Sequence, residues 1–175
     1  ARHLASICIT KGKIVVSGLA EGIDTEAHKG AIQSGGRTIA VVNTTPEQDV
    51  YPKSNVVLGA DILLNGSIIY PYSTIPKYQK GFSVFQQRLI ERDLLVAYLC
   101  PTIIVVKKES STIVGGTKWA IRAGLDSKKK VFRYDGSFHE NPKCEECKTW
   151  WINELDINIL KRNEDKGGEI FTYIE

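Results

Sequence analysis

A run of β-branched residues, Ile14, Val15 and Val16, leads straight into Ser17-Gly18-Leu19-Ala20-Glu21-Gly22, and this junction constrains the fold more than any other stretch. A strand without polar alternation has to be covered on both faces, the situation of a parallel sheet sandwiched by helices. The glycine-bearing turn then delivers the chain to a helix, with Asp24 placed as its N-cap. Ala27, Gly30, Ala31 and Ile32 continue that helix until Ser34-Gly35-Gly36 stops it. Buried strand, tight turn and helix make the first half of a βαβ unit.

The alternation repeats along the chain. Apolar spacing predicts a helix over residues 3–10 ending before Gly12, a strand over 38–42, a polar loop over 43–54 containing Pro46 and Pro52, and an amphipathic helix over 55–64 closed by Asn65-Gly66. A strand over 67–70, a Pro- and Tyr-rich loop, a long helix over 82–96, a strand over 102–106, a helix over 117–123 and a strand over 130–134 follow. Such a pattern predicts an open doubly wound α/β domain: a mainly parallel sheet of at least four strands, helices on both faces, the 17–22 turn at its carboxyl edge. After Gly136 the character changes, and residues 137–175 are read as a C-terminal extension packed on a 1–136 domain. A helix over 150–161 and a strand over 169–174 are expected there.

At 175 residues the chain is one domain with at most a short appendage. Hydrophobic residues at 42% and charged residues at 25% are ordinary for a globular protein and exclude disordered and fibrous classes. Lys plus Arg number 23 against 20 Asp plus Glu, a net charge of +3 that permits an anionic partner without naming it. No apolar run approaches the roughly 20 residues of a membrane span and no signal-peptide pattern is present, so a cytoplasmic protein is expected. Methionine is absent and the first residue is alanine, so a fragment or processed product is expected. Cys8 and Cys100 read as buried free thiols. Cys144 and Cys147 have the spacing of half a zinc site, but only His139 lies near as a third ligand, so no metal is expected.

Ligands of open α/β sheets settle outside the carboxyl ends of the strands. The amides from Gly18 to Ile23 face that edge at a helix start, where free N–H groups favour an anion; the alternative is that Gly18 and Gly22 only serve the turn. Asp24 and His28 lie four apart on one helical face, so the carboxylate can orient the imidazole, or each has a purely structural role. Arg88 and Arg92, also four apart, direct two guanidinium groups to one strand edge, to bind phosphate or to pair with Glu91 and Asp93. Gly115-Gly116-Thr117 is a phosphate cradle or a simple helix start. Lys128, Lys129 and Lys130, with Lys118, Arg122 and Arg133, make a positive edge or a solvated loop. Tyr70, Tyr72 and Tyr78 offer stacking faces or pack their loop.

Read whole, residues 15–36, VVSGLAEGIDTEAHKGAIQSGG, resemble the signature of the bacterial DNA-processing protein A family (DprA, also called Smf). The resemblance continues through TIAVV at 38–42, YPKSN at 51–55 and Asn65-Gly66, and covers residues 1–136. It implies a Rossmann-like domain of the lysine-decarboxylase-like superfamily that binds single-stranded DNA, forms a homodimer and hands the strand to a RecA-type recombinase in transformation. It implies no cofactor and no catalytic residue. It further implies that Ser17, Gly18, Gly22, Asp24, His28, Arg88, Arg92, Gly115, Gly116 and Thr117 belong to the DNA- or phosphate-binding surface, with the family's first strand missing from this chain. Arg92-Asp93-Leu94 stands where the family has Arg-Asn-Arg, so the pocket loses a cation and gains an anion. Similarity to related phosphoribohydrolases suggests nucleotide chemistry, but Ala120 occupies the position of their carboxylate; a sensor of a nucleotide or nucleotide-derived signal is the alternative to DNA binding.

Overall fold

Strand and helix alternate in the computed structural model as the apolar spacing requires, over the described residues 1–74, 84–106 and 115–141. The order is α1 (Arg2–Thr10), β1 (Val15–Ser17), α2 (Ile23–Gln33), β2 (Thr38–Val41), a 3-10 turn (Lys53–Asn55), α3 (Val56–Asn65), β3 (Gly66–Ile69), α4 (Val84–Leu99), β4 (Thr102–Val106), α5 (Gly116–Asp126), β5 (Lys130–Tyr134) and β6 (Phe138–Asn141). Three βαβ units result, because β1 pairs parallel with β2, β2 with β3, and β4 with β5. The α/β class and the mainly parallel pairing stand as expected. One sheet of four or more strands does not: among the described residues the ladders divide into β1-β2-β3 and β4-β5-β6.

Each half has its own core. Leu19, Ala40, Val42, Val50, Leu58 and Ile62 form one apolar cluster, with Ile32, Ile68 and Tyr70 against it. Leu94, Ala97 and Ala123 form the other, with Ile90, Ile103, Trp119 and Ala120 against it. Leu94 therefore stands where it does for packing, and Ala120 faces apolar neighbours.

The last strand escaped the sequence reading. β6 runs antiparallel to β5, pairing Tyr134 with Phe138 and Val131 with Asn141. Its turn is built by Asp135, whose carboxylate accepts from Arg133 Nη1 at 2.6 Å, from the Ser137 amide at 3.3 Å and from the Ser137 hydroxyl at 3.2 Å. These donors, the Ser137 amide foremost, hold the carboxyl far below its ordinary range. Asp135-Gly136 is a strong hairpin signal, with Gly136 at φ 130°. The sheet thus continues past residue 136. Cys144, Cys147, Tyr78 and the elements expected over 150–161 and 169–174 lie outside the described residues. Cys8 and Cys100 are free but only partly buried.

α2 is bound to the sheet through a buried polar relay. Thr38 Oγ1 donates to the Val15 carbonyl at 2.9 Å and lies 2.7 Å from His28 Nδ1. The hydroxyl has a single proton and gives it to Val15, so His28 must donate from Nδ1. Thr38→Val keeps the shape but orphans that N–H in a fully buried place. The expected cost is about 2 kcal/mol of unfolding free energy, readable as a shift of the urea midpoint at unchanged m-value; an unshifted midpoint would show that the relay contributes nothing.

Candidate nucleic-acid interface

The carboxyl edge of the first sheet is formed by three loops: the turn after β1, the 42–55 loop after β2 and the chain after β3. The turn after β1 is held in a costly shape. Leu19 has φ 60°, a left-handed conformation unusual for a residue with a side chain, and it is fully buried. Asn55 clamps it, its Nδ2 donating to the Leu19 carbonyl at 2.9 Å and lying 2.9 Å from Thr25 Oγ1. Asn55, in the YPKSN stretch, thus positions the turn from 36 residues away.

Asp24 is not the N-cap. Gly22, at φ 84°, takes that position, and α2 begins at Ile23. This shift lets Asp24 reach back into the turn, where Oδ2 accepts from the Ala20 amide at 3.0 Å and Oδ1 from the Ser17 hydroxyl at 2.6 Å. The anion sitting on the glycine turn is therefore the chain's own carboxylate. His28 is oriented by Thr38 rather than by Asp24, and its Nε2 has no partner among the described residues.

Gly18 and Gly116 owe their small size to two neighbouring residues of α4. A Cβ on Gly18 would sit 2.7 Å from Arg92 Cζ, and Arg92 Nη1 donates to the Gly18 carbonyl. A Cβ on Gly116 would overlap the Asp93 carboxylate. Asp93 thus lies against the first turn of α5, where the positive end of the helix favours a negative group. Gly115 is the N-cap of α5 at φ 63°, and Thr117 follows in its first turn. Arg92 Nε lies 2.8 Å from Asp93 Oδ1, an ion pair not aligned as a hydrogen bond. At both helix starts proposed from sequence as phosphate cradles, a carboxylate of the chain is already in place.

Arg88 is arranged differently. It is 8% exposed, its guanidinium lies 4.0 Å over the Tyr72 ring, and Nη2 donates to the Thr74 carbonyl at 2.8 Å. Tyr72 is fixed in turn by donating to Glu91 at 2.6 Å; burial and that bond push its hydroxyl pKa far up, so it remains a donor. Arg88 Nη1 has no partner among the described residues. The Arg88 side chain borders a cavity of about 200 Å3 lined also by Asn43, Thr44, Gln48, Asp49, Val50, Tyr51, Lys53 and Phe85. Asn43, at 3% exposure, and Thr44, at 7%, leave the whole Asn43 amide and the Thr44 hydroxyl unpartnered as well. Buried polar atoms without partners are rare, and these carry less than 1 Å2 of accessible surface each, so they lie behind the cavity wall rather than open to it. Sequence reasoning passed over Asn43 and Thr44 because their loop lacks glycine.

Three of the basic groups of the second half are engaged within the chain. Lys129 donates to the carbonyls of Ala97 and Tyr98 at the end of α4, Arg122 pairs with Asp126, and Arg133 with Asp135. Tyr70 packs on the first core. Among the described residues no group of acidic, His and Cys side chains is placed to hold a metal, and no helix is long and apolar enough to cross a membrane.

Two titrations oppose each other beside the turn. Burial lowers the His28 pKa from 6.5 to about 4, against the pull of Asp24. Folded His28 therefore refuses a proton that the unfolded chain takes, and stability is lost as pH falls from 6.5 towards 4. Burial raises the Asp93 pKa from 3.8 to about 6, with Arg92 opposing and Asp24 adding to the rise. That contribution is present at low pH and lost as pH rises through 6. The two slopes offset one another in the parent. In Asp93→Asn only the His28 slope remains, so stability is expected to fall by about 3 kcal/mol between pH 6.5 and 4. Denaturation midpoints across that range check this, and a profile parallel to the parent's would sink it.

Comparison with known proteins places this geometry. Residues 1–165 match the family model described as DNA recombination-mediator protein A. The DNA processing protein DprA of Streptococcus pneumoniae is 32% identical over 124 residues, 71% of this chain and 40% of that protein. The DprA of Bacillus subtilis is 30% identical over 139 residues, 79% of this chain and 43% of that protein. The chain thus spans less than half the length of these curated relatives. The X-ray structure of the Streptococcus pneumoniae protein superimposes with a TM-score of 0.57 at 28% identity, covering 78% of this chain and 48% of that one. A structure of DNA processing protein A from Helicobacter pylori, described for its single-stranded DNA binding mode, shares the fold with a TM-score of 0.65 at 23% identity, covering 94% and 72%. This chain belongs to the DNA recombination-mediator protein A family.

Proposed function

We propose that this chain binds single-stranded DNA across the carboxyl edge of the β1-β2-β3 sheet and does no chemistry on it. The observation that carries the reading is Arg88: a guanidinium held rigid by Tyr72 and Thr74, in a side chain that lines a cavity together with Lys53. A preorganised guanidinium is suited to a phosphate oxygen, because its planar fork keeps its charge and loses little freedom on binding. Arg92, by contrast, is committed to Gly18 and Asp93. Family membership and the single-stranded DNA described for the Helicobacter pylori relative support the same ligand. The apolar setting of Ala120 supports a binding role over glycosidic hydrolysis. Hand-over to a RecA-type recombinase, a homodimer and a cytoplasmic location extend this reading on the strength of the family resemblance. Capture of a free nucleotide is the second reading, favoured by the small volume of the cavity.

Labelled oligo-dT titrated at two salt concentrations tests the proposal. Arg88→Ala is expected to weaken binding roughly tenfold and to reduce the salt slope by about 1, the behaviour of one lost phosphate contact. Arg92→Ala is expected to act first on the fold, costing about 3 kcal/mol of stability by stranding a buried carboxylate. An Arg88→Ala protein with the parent's affinity and salt slope would reject this surface as the DNA site.

A further inference from the structure

We propose that the groove at the amino edge of the β4-β5 pair is a second contact for the backbone of a bound single strand, with Lys128 and Lys130 taking phosphates and Tyr98 offering a stacking face. On the DNA-binding reading above, which this extends, the strand gains a footprint beyond the carboxyl-edge cavity.

Thr102 and Lys130 are the first residues of β4 and β5 and are partners in the ladder. Around them opens a groove of about 710 Å3, lined by the α4-β4 junction with Tyr98 and Cys100 and by Lys128, Lys129 and Lys130. No carboxylate lines it among the described residues, whereas Asp49 shares the other cavity with Arg88 and Lys53. Lys129 is spent on the fold. Its Nζ donates to the Ala97 and Tyr98 carbonyls at 2.8 and 2.6 Å and so answers the negative end of α4. The Lys128 and Lys130 side chains are exposed and have no partner among the described residues. Two cations are thus presented together, with the local negative charge already compensated.

Lys128 holds its place against the preference of the backbone. The end of α5 is a Schellman turn, in which the Lys128 amide donates to the Leu125 carbonyl at 3.0 Å and the Lys129 amide to the Gly124 carbonyl at 2.9 Å. Glycine is the usual residue there because φ is positive, yet Lys128 takes the position at φ 55°. Glycine would serve the turn better, so what the lysine adds is its charge at the groove. Tyr98 is 40% exposed and its ring centroid lies 5.7 Å from Lys129 Nζ. An aromatic face beside cations is how single strands are held irrespective of sequence, whereas an acidic polypeptide matches the charge alone. Arg88 and Tyr98 stand on one helix, so roughly 15 Å along its axis separates the two basic sites. A stacked strand rising about 3.4 Å per nucleotide covers that span with about five nucleotides, within the range of ordinary single-strand sites.

Labelled oligo-dT of about 20 nucleotides, long enough to reach both sites, is titrated at two salt concentrations against the parent, Lys128→Gly, Lys130→Gln, their double variant and Arg88→Ala. The double variant is expected to bind roughly tenfold more weakly than the parent, with about twice the loss of salt slope expected of Arg88→Ala, because two phosphate contacts are gone. Lys128→Gly should melt at or above the parent's temperature, since glycine suits the turn; a lysine that served only the fold would lower it. Lys130→Gln, with about half the double variant's loss of slope, is the readout if Lys128→Gly fails to fold. Cys100, a free thiol lining the groove, reports the place of contact. The oligonucleotide is expected to slow its alkylation by N-ethylmaleimide several-fold in the parent and to leave Cys8 unaffected, read peptide by peptide in mildly alkaline buffer because burial pushes the Cys100 thiol up. Parent-like affinity and slope in the double variant, with Cys100 unprotected and Arg88→Ala weakened, overturns the lysine groove and leaves DNA binding at the carboxyl edge standing. A weakened double variant and a protected Cys100, with Arg88→Ala unchanged, upholds the groove and rejects the carboxyl edge. Equal protection of Cys100 by polyglutamate overturns the assignment to nucleic acid, and no binding of oligo-dT by the parent overturns both readings.

Discussion

The bond on which the rest of this structure leans is that between the Arg92 guanidinium and the Gly18 carbonyl. It brings α4 down onto the turn after β1, and it does so with a side chain only 5% exposed. The next residue, Asp93, pairs with Arg92 and meets the first turn of α5 at Gly116. No ladder joins the two sheets among the described residues. A charged dipeptide on α4 therefore ties them: Arg92 holds the β1-β2-β3 half and Asp93 the β4-β5-β6 half. Each contact needs a glycine opposite, since a Cβ would fill the space that the side chain uses. A buried ion pair of this kind gives little net stability, but its donors and acceptors accept one arrangement only, and that fixes the relation of the halves.

The same economy decides where a ligand can act. Helix starts are natural anion sites, yet here Asp24 occupies one and Asp93 lies at the other. Both glycine turns are internally neutralised, and the cationic groups nearest them are committed. What is left over lies one loop away, where Arg88 and Lys53 line a cavity together.

Opposed titration is a by-product of this arrangement. His28 and Asp93 are both buried in their uncharged tendency, one an acid kept from losing its proton and one a base kept from gaining it. Burial moves the two pKa values past each other, which flattens the dependence of stability on pH between them. Asp24 touches both shifts, resisting the first and adding to the second.

Much of this architecture was legible in the chain. Unalternated strands at 15–17, 38–41 and 102–106 specify a covered parallel sheet, because β-branched residues without polar alternation have no exposed face to offer. The glycine turn and the i, i+4 spacing of Arg88 and Arg92 are local facts, fixed by helical geometry. The β5-β6 hairpin was equally local, written in Asp135-Gly136. What sequence alone did not determine was the fate of each group once placed. Two arginines on one face of α4 look identical in sequence. One meets a carbonyl delivered from residue 18 and the carboxylate of Asp93, while the other lies over an aromatic ring and donates to the Thr74 carbonyl. Asp24 was recognisable as a helix-start acid, but a glycine at positive φ moved the helix boundary and turned a cap into a brace for the preceding turn. Those outcomes depend on partners far away along the chain, which only the folded arrangement brings within hydrogen-bonding reach.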